Sequence, residues 1–133
     1  MTSRPAKPRI LVVEDQPDVL KTMLYLLKRA GGEAVGAKSG AEALQLAQAG
    51  KFDLITMDID LPDTDGLELC RRLKQDLQLN HIPVIFVSGR LCEGHRQHCH
   101  EFGAADFIVK PFDAGVFVSR IFAQLKISSG TKK

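Results

Sequence analysis

Cysteine is scarce in this chain: three in 133 residues, at Cys70, Cys92 and Cys99. An odd number at wide spacing makes no disulfide framework and suits a reducing, cytoplasmic compartment. Charge of one sign is scarce as well. Eighteen Lys and Arg stand against sixteen Asp and Glu, a formal net charge of +2. That is too little to imply direct nucleic-acid binding. No apolar run approaches the roughly 20 residues of a membrane span, so no membrane insertion is expected. The opening MTSRPAKPR is basic and carries proline but has no apolar stretch, so it is not expected to act as a secretory signal. Internal repeats and interdomain linkers are missing too. What is present is an ordinary globular balance, 44% hydrophobic and 26% charged, at a length that fits one domain.

Five short apolar runs punctuate the chain: RILVV (9–13), EAVGA (33–37), DLITM (53–57), IPVIFV (82–87) and DFIV (106–109). Continuous, β-branched runs of this length suit strands buried on both faces. After the first run, Leu20, Met23, Leu24, Leu27 and Ala30 recur at helical spacing. Pro17 suits the first turn there, and Gly31 and Gly32 the exit. A second helix opens on Ser39 with Glu42 three residues on, a capping-box signature, and ends at Gly50. Asp65 with Glu68 repeats the signature and predicts a helix through Leu69, Cys70, Leu73 and Leu77. CEGHRQHCHEFG (92–103) predicts a weak fourth helix, with Gly94 inside, few apolar anchors and residues of middling propensity. Asp113 caps a final helix with Val118, Ile121, Phe122 and Leu125 on one face. Residues 1–8 and 127–133 read as flexible tails around a folded unit, 9–126. Five strands alternating with five helices predict an α/β fold, a doubly wound five-stranded parallel sheet with right-handed crossovers.

In a parallel sheet every strand ends on the same edge, where open α/β sheets bind their ligands. The first run ends in Glu14 and Asp15, the third in Asp58, the fourth in Ser88 and the fifth in Lys110. Three carboxylates in one crevice repel one another and call for a cation. An all-oxygen donor set suits magnesium or manganese; no Cys or His ends any of these four strands, which argues against zinc there. A lysine and a hydroxyl beside such a site suit a phosphoryl group. Asp58 then makes chemical sense as a nucleophile that becomes an aspartyl phosphate.

The segments ILVVEDQ, DLITMDIDLPDTDGLELCRRL, IPVIFVSG and GAADFIVKPF together resemble the receiver domain of two-component response regulators, over about residues 9–126. The resemblance implies a flavodoxin-like sheet of order 2-1-3-4-5. It makes Asp58 the phosphoacceptor. It assigns Glu14 and Asp15, with Asp58 and the backbone carbonyl of Asp60, to a Mg2+ or Mn2+ ion. Ser88 and Lys110 would contact the phosphoryl oxygens, and Lys110 would precede a cis Pro111. Ser88 and Phe107 would form the switch, with Phe107 turning inward on phosphorylation. The implied donor is a histidine kinase or a histidine phosphotransfer protein. The implied output face is the fourth helix, fifth strand and fifth helix, used for an unknown partner or a phosphorylation-dependent dimer. The module would catalyse only its own phosphorylation and dephosphorylation.

Other readings stand beside this one. Asp58-Ile59-Asp60 is an Asp-x-Asp, as in phosphatases of haloacid-dehalogenase type, although that family carries the pair on its first strand. A flavin carrier of the same fold would find Glu14 and Asp15 repelling the flavin phosphate. Asp60 carries a carboxylate where the family more often has a neutral side chain. It either points to solvent and is screened, or tunes phosphoryl lifetime or pairs with Arg90. Cys92, His95 and Cys99 have helical ligand spacing, which allows either a metal or redox site or merely an exposed polar helix. The remaining aspartates have local readings: Asp53 structural at a strand start, Asp63 in a turn, Asp65 a helix cap.

Overall fold

The structure, a computed structural model, describes residues 7–89 and 100–130. Its strands are β1 (Arg9–Val13), β2 (Glu33–Ala37), β3 (Leu54–Met57), β4 (Val84–Ser88) and β5 (Asp106–Val109). Its named helices are α1 (Pro17–Arg29), α2 (Gly40–Ala49), α3 (Gly66–Gln75) and α4 (Ala114–Gly130). The strands form one parallel sheet in the order β2-β1-β3-β4-β5, as expected. Four helices are named among the described residues against five expected. The expected fourth helix falls largely on residues 90–99, outside the described residues, as do Arg90 and the Cys92, His95 and Cys99 set.

Strand alternation divides the core in two. Leu11 and Val13 of β1 join Ala43 and Ala47 of α2 and Leu69, Cys70 and Leu73 of α3 on one face of the sheet. Ile10 and Val12 join Leu20, Met23 and Leu27 of α1 and Phe117 and Ile121 of α4 on the other. Cys70 is a core residue: burial pushes its thiol up to about 11, so it offers little thiolate. Thr56 of β3 is also buried, and its hydroxyl has no hydrogen-bond partner among the described residues.

Helix boundaries follow from capping. Gly31, at φ 106°, and Gly32 return their N–H groups to Lys28 and Leu27 carbonyls, a Schellman exit from α1 that the Gly pair predicts. Ser39 Oγ accepts the Glu42 N–H at the start of α2, and Glu42 accepts the Lys38 N–H. Asp113 accepts the Val116 N–H at the start of α4.

Two expectations are corrected. The third helix stops at Gln75 rather than running through Leu77. Asp76 has left the helical region and accepts the Gln78 N–H, and its carbonyl takes the Leu79 and Asn80 N–H groups. This local side-chain turn competes with another helical turn. Leu79 becomes the buried residue and Leu77 is 88% exposed. The last helix runs to Gly130, so residues 127–130 continue it rather than start a tail at 127.

The orphan Thr56 hydroxyl carries a desolvation cost with no bond to offset it. Thr56→Val keeps the branched shape that a strand favours. It should raise stability by about 1 kcal/mol, read as a higher denaturation midpoint at unchanged slope. A loss of stability would mean the hydroxyl is paired.

Candidate functional site

The ladder of the sheet continues one residue beyond three of its strands, and those residues are the polar ones. Glu14 donates its N–H to Ala37 O at 2.9 Å, Asp58 to Val13 O at 3.1 Å and Lys110 to Ser88 O at 2.9 Å. The backbone therefore delivers Glu14, Asp58, Ser88 and Lys110 to one edge. Glu14, Asp58 and Ser88 are buried and Asp15 is half-buried. Lys110 Nζ lies 2.7 Å from Glu14 Oε1 and 3.0 Å from Asp58 Oδ2. One carboxylate oxygen each from Glu14, Asp15 and Asp58 lie within 4.8 Å of one another. The Lys110–Pro111 bond is cis, as the resemblance implied.

Two buried carboxylates and one ammonium leave an excess negative charge before Asp15 is counted. Burial pushes the Glu14 carboxyl above the ordinary carboxylate range; the Lys110 hydrogen bond opposes this and the Asp58 charge adds to it. Burial also works against the Lys110 ammonium, but its bonds to Glu14 and Asp58 outweigh burial and hold its pKa above the ordinary value. An all-oxygen set that is short of positive charge is chemistry suited to a hard divalent cation.

The five aspartates of residues 53–65 now separate. Asp53 accepts the Arg9 N–H at 2.7 Å, at the opposite end of the sheet from Asp58. Asp58 faces Lys110. Asp60 has an exposed side chain, and its N–H donates to Asp58 Oδ1 at 3.2 Å. Asp65 caps α3 through the Leu67 N–H at 2.8 Å, while Glu68 pairs with Arg71 instead of completing a capping box. Asp63 does more than turn the chain: it accepts the Gly40 and Ala41 N–H groups of α2 at 2.8 and 2.9 Å. No local pattern could reveal a contact across more than twenty residues.

Phe107, expected as part of the switch, lies in the core. It is only 3% exposed and packs with Phe86 in the core, so the inward position is already taken. Its carbonyl accepts from Arg120 at 3.0 Å, and Arg120 also reaches Asp106. Gly66 is packed tightly against the chain just after β3: a Cβ there would lie 2.2 Å from Asp58 O and 2.9 Å from Ile59 Cα.

The fold and this edge define a class: a doubly wound α/β domain that gathers carboxylates, a hydroxyl and a lysine at the carboxyl ends of its strands. Residues 10–122 match the family model of the response regulator receiver domain. The polar-differentiation response regulator DivK of Brucella ovis is 37% identical over 116 residues, which cover 87% of this chain and 94% of that protein. A CheY-like receiver domain protein from Methanospirillum hungatei superposes with a TM-score of 0.89 at 25% identity, over 95% of this chain and 99% of that one. The signal receiver domain of a signal transduction histidine kinase from Syntrophus aciditrophicus is 33% identical, with a TM-score of 0.83, over 95% and 93%. The chain belongs to the response regulator receiver domain family, and is thus a phospho-accepting signalling module. These relatives give the phosphatase reading no support.

Two substitutions probe the site's construction. Gly66→Ala forces backbone to move at Asp58 and should cost about 2 kcal/mol or more of stability, measured by denaturant unfolding; an unchanged midpoint would show that the contact is slack. Glu14→Gln tests the charge excess. A carboxyl whose folded pKa is raised costs the folded state stability as pH climbs from 4.5 through that higher value. The Gln variant escapes this cost, and Lys110 keeps Asp58 as a partner. Without divalent metal it should be more stable than the parent at pH 7, by on the order of 1 kcal/mol. The gain should vanish below the carboxylate range. A variant that is less stable at pH 7 would show that Lys110 needs both carboxylates.

Proposed function

We propose that Asp58 is the phosphoacceptor of this receiver. The donor is a histidine kinase or a histidine phosphotransfer protein, and a Mg2+ or Mn2+ ion is held by Glu14, Asp15, Asp58 and the backbone carbonyl of Asp60. The observation that carries the reading is the position of the Asp58 carboxylate, 3.0 Å from Lys110 Nζ and grouped with Glu14 and Asp15 oxygens within 4.8 Å. The donor set fits a hard cation: three carboxylates and one ammonium, with no sulfur or imidazole.

A carboxylate oxygen of Asp58 attacks the phosphorus of the donor's phosphohistidine. The P–N bond breaks as the P–O bond forms, and the imidazole leaves with the electron pair. When bound, the divalent ion supplies positive charge against the phosphoryl oxygens and the carboxylates. Lys110 begins on Asp58 and Glu14 and can follow the transferred charge to a phosphoryl oxygen. Ser88, ending β4 beside it, offers a hydroxyl to another. The group brings added negative charge and acceptor oxygens to an edge already rich in carboxylates. The answering movement of Ser88 and Lys110 is the first event of the switch. The output is docking, not turnover, and the face used includes β5 and α4. A phosphorylated dimer through that face is one form the output can take.

With a small phosphodonor such as acetyl phosphate and Mg2+, the protein should gain one acid-stable, base-labile phosphoryl group. Asp58→Asn should abolish it, since an amide is no nucleophile here, and a chelator should suppress it in the parent. Undiminished labelling of the Asn variant would remove Asp58 from the role.

A further inference from the structure

The segment between β3 and α3 leads away from Asp58 and contains Pro62. Its base is closed by the Gly66 N–H on Ile59 O at 2.7 Å and by an antiparallel bridge between Asp60 and Asp65. Its tip rests on a different element. The Asp63 carboxylate spans two consecutive N–H groups of α2, one to each oxygen, at 2.8 and 2.9 Å. Packing reinforces the tie: a Cβ on Gly40 would sit 2.4 Å from Thr64 Cγ2, so helix and segment touch with no room for a side chain. At the other end, the segment's first residue meets the reacting group, because Asp60 N–H donates to Asp58 Oδ1 at 3.2 Å. A continuous line of contacts thus runs from the N-terminus of α2 through Asp63 and the segment backbone to the Asp58 carboxylate.

We propose that Asp63 is a positioning residue for the metal side of this site: by gripping α2 it holds the 60–65 segment, and with it the Asp60 backbone, in register with Asp58. The proposal rests on the assignment of Asp58 and Asp60 made above. The two N–H bonds hold the Asp63 carboxyl below its ordinary range, so the grip is charged at neutral pH. α2 has its own cap in Ser39, which accepts the Glu42 N–H at 3.1 Å. The Ser39 side chain bonds α2 itself, which separates helix capping from segment positioning.

The test is Mg2+ titration by calorimetry on the full chain, with amide exchange at Asp60 read by NMR. Asp63→Ala should raise the Mg2+ Kd about tenfold, the size typical of losing support behind a metal ligand, and should speed exchange at Asp60. Asp63→Asn, whose amide oxygen still accepts an N–H, should recover most of the affinity. Ser39→Ala should leave the Mg2+ Kd at the parent value. The proposal is overturned by a parent-like Kd in Asp63→Ala, or by an equal loss in Ser39→Ala, which would place the effect in α2 stability. It is overturned as well by an equal loss in Asp63→Asn, which would make it a matter of charge alone. If Asp63→Ala does not fold, Asp63→Asn and Ser39→Ala carry the comparison. A parent protein that binds no Mg2+ fails the site reading itself and takes the proposal with it, an outcome recognisable before any variant is measured.

Discussion

Lys110 sits between Glu14 and Asp58, and the rest of the site is arranged around that contact. Burying a carboxylate is expensive, and burying two beside each other is worse; one ammonium at 2.7 and 3.0 Å offsets only part of the cost. The sheet can bear the remainder because its interior is otherwise almost wholly apolar on both faces. The charge excess is therefore a property of the fold's design, concentrated at one edge. It leaves the edge short of positive charge, which is chemistry suited to a hard divalent cation.

The stretch after β3 shows how the remaining carboxylates are kept from adding to that excess. Asp63 and Asp65 each terminate on a helix, the first on the N–H groups of α2 and the second on those of α3. Helix N-termini carry partial positive charge, so the two carboxylates are satisfied locally. Asp53 is removed to the far end of the sheet by the Arg9 backbone. Asp58 bonds the Lys110 ammonium at the carboxyl edge. The glycines at 40 and 66 serve the same arrangement by close approach, letting α2 meet the segment and Gly66 meet the chain just after β3.

The parallel sheet and its site edge were legible in the alternation of apolar runs with helical segments and in where those runs stop; the strand order was implied by the resemblance to the receiver family. A buried strand has to end in something polar, and parallel pairing brings those ends together. Glu14, Asp58, Ser88 and Lys110 are all read this way. What could not be read depends on contacts between distant segments. The Asp63 grip on α2 has no local signature. The end of α3 turned on whether Asp76 would bond its own downstream backbone, which propensity alone does not decide. Phe117, buried in α4 and stacked on Phe112 at 4.7 Å, belongs to the helical face predicted for Val118 and Ile121 but is more deeply placed than Val118. The state of Phe107 is a matter of packing against Phe86, and a residue type cannot report it.

A chain of contacts leads from the Asp58 site to the last helix. Lys110 is bound to the sheet through its own N–H on Ser88 O, so the side chain can change partners while the backbone stays in the ladder. Two residues on, Phe112 stacks on Phe117 of α4, and Arg120 of α4 holds the Phe107 carbonyl in β5. The segment from Lys110 to Phe112 is thus anchored to β4 at one end and to α4 at the other. The Lys110–Phe112 connection and the Arg120 bridge between α4 and β5 join the residue that faces Asp58 to the packing of the last helix on the sheet.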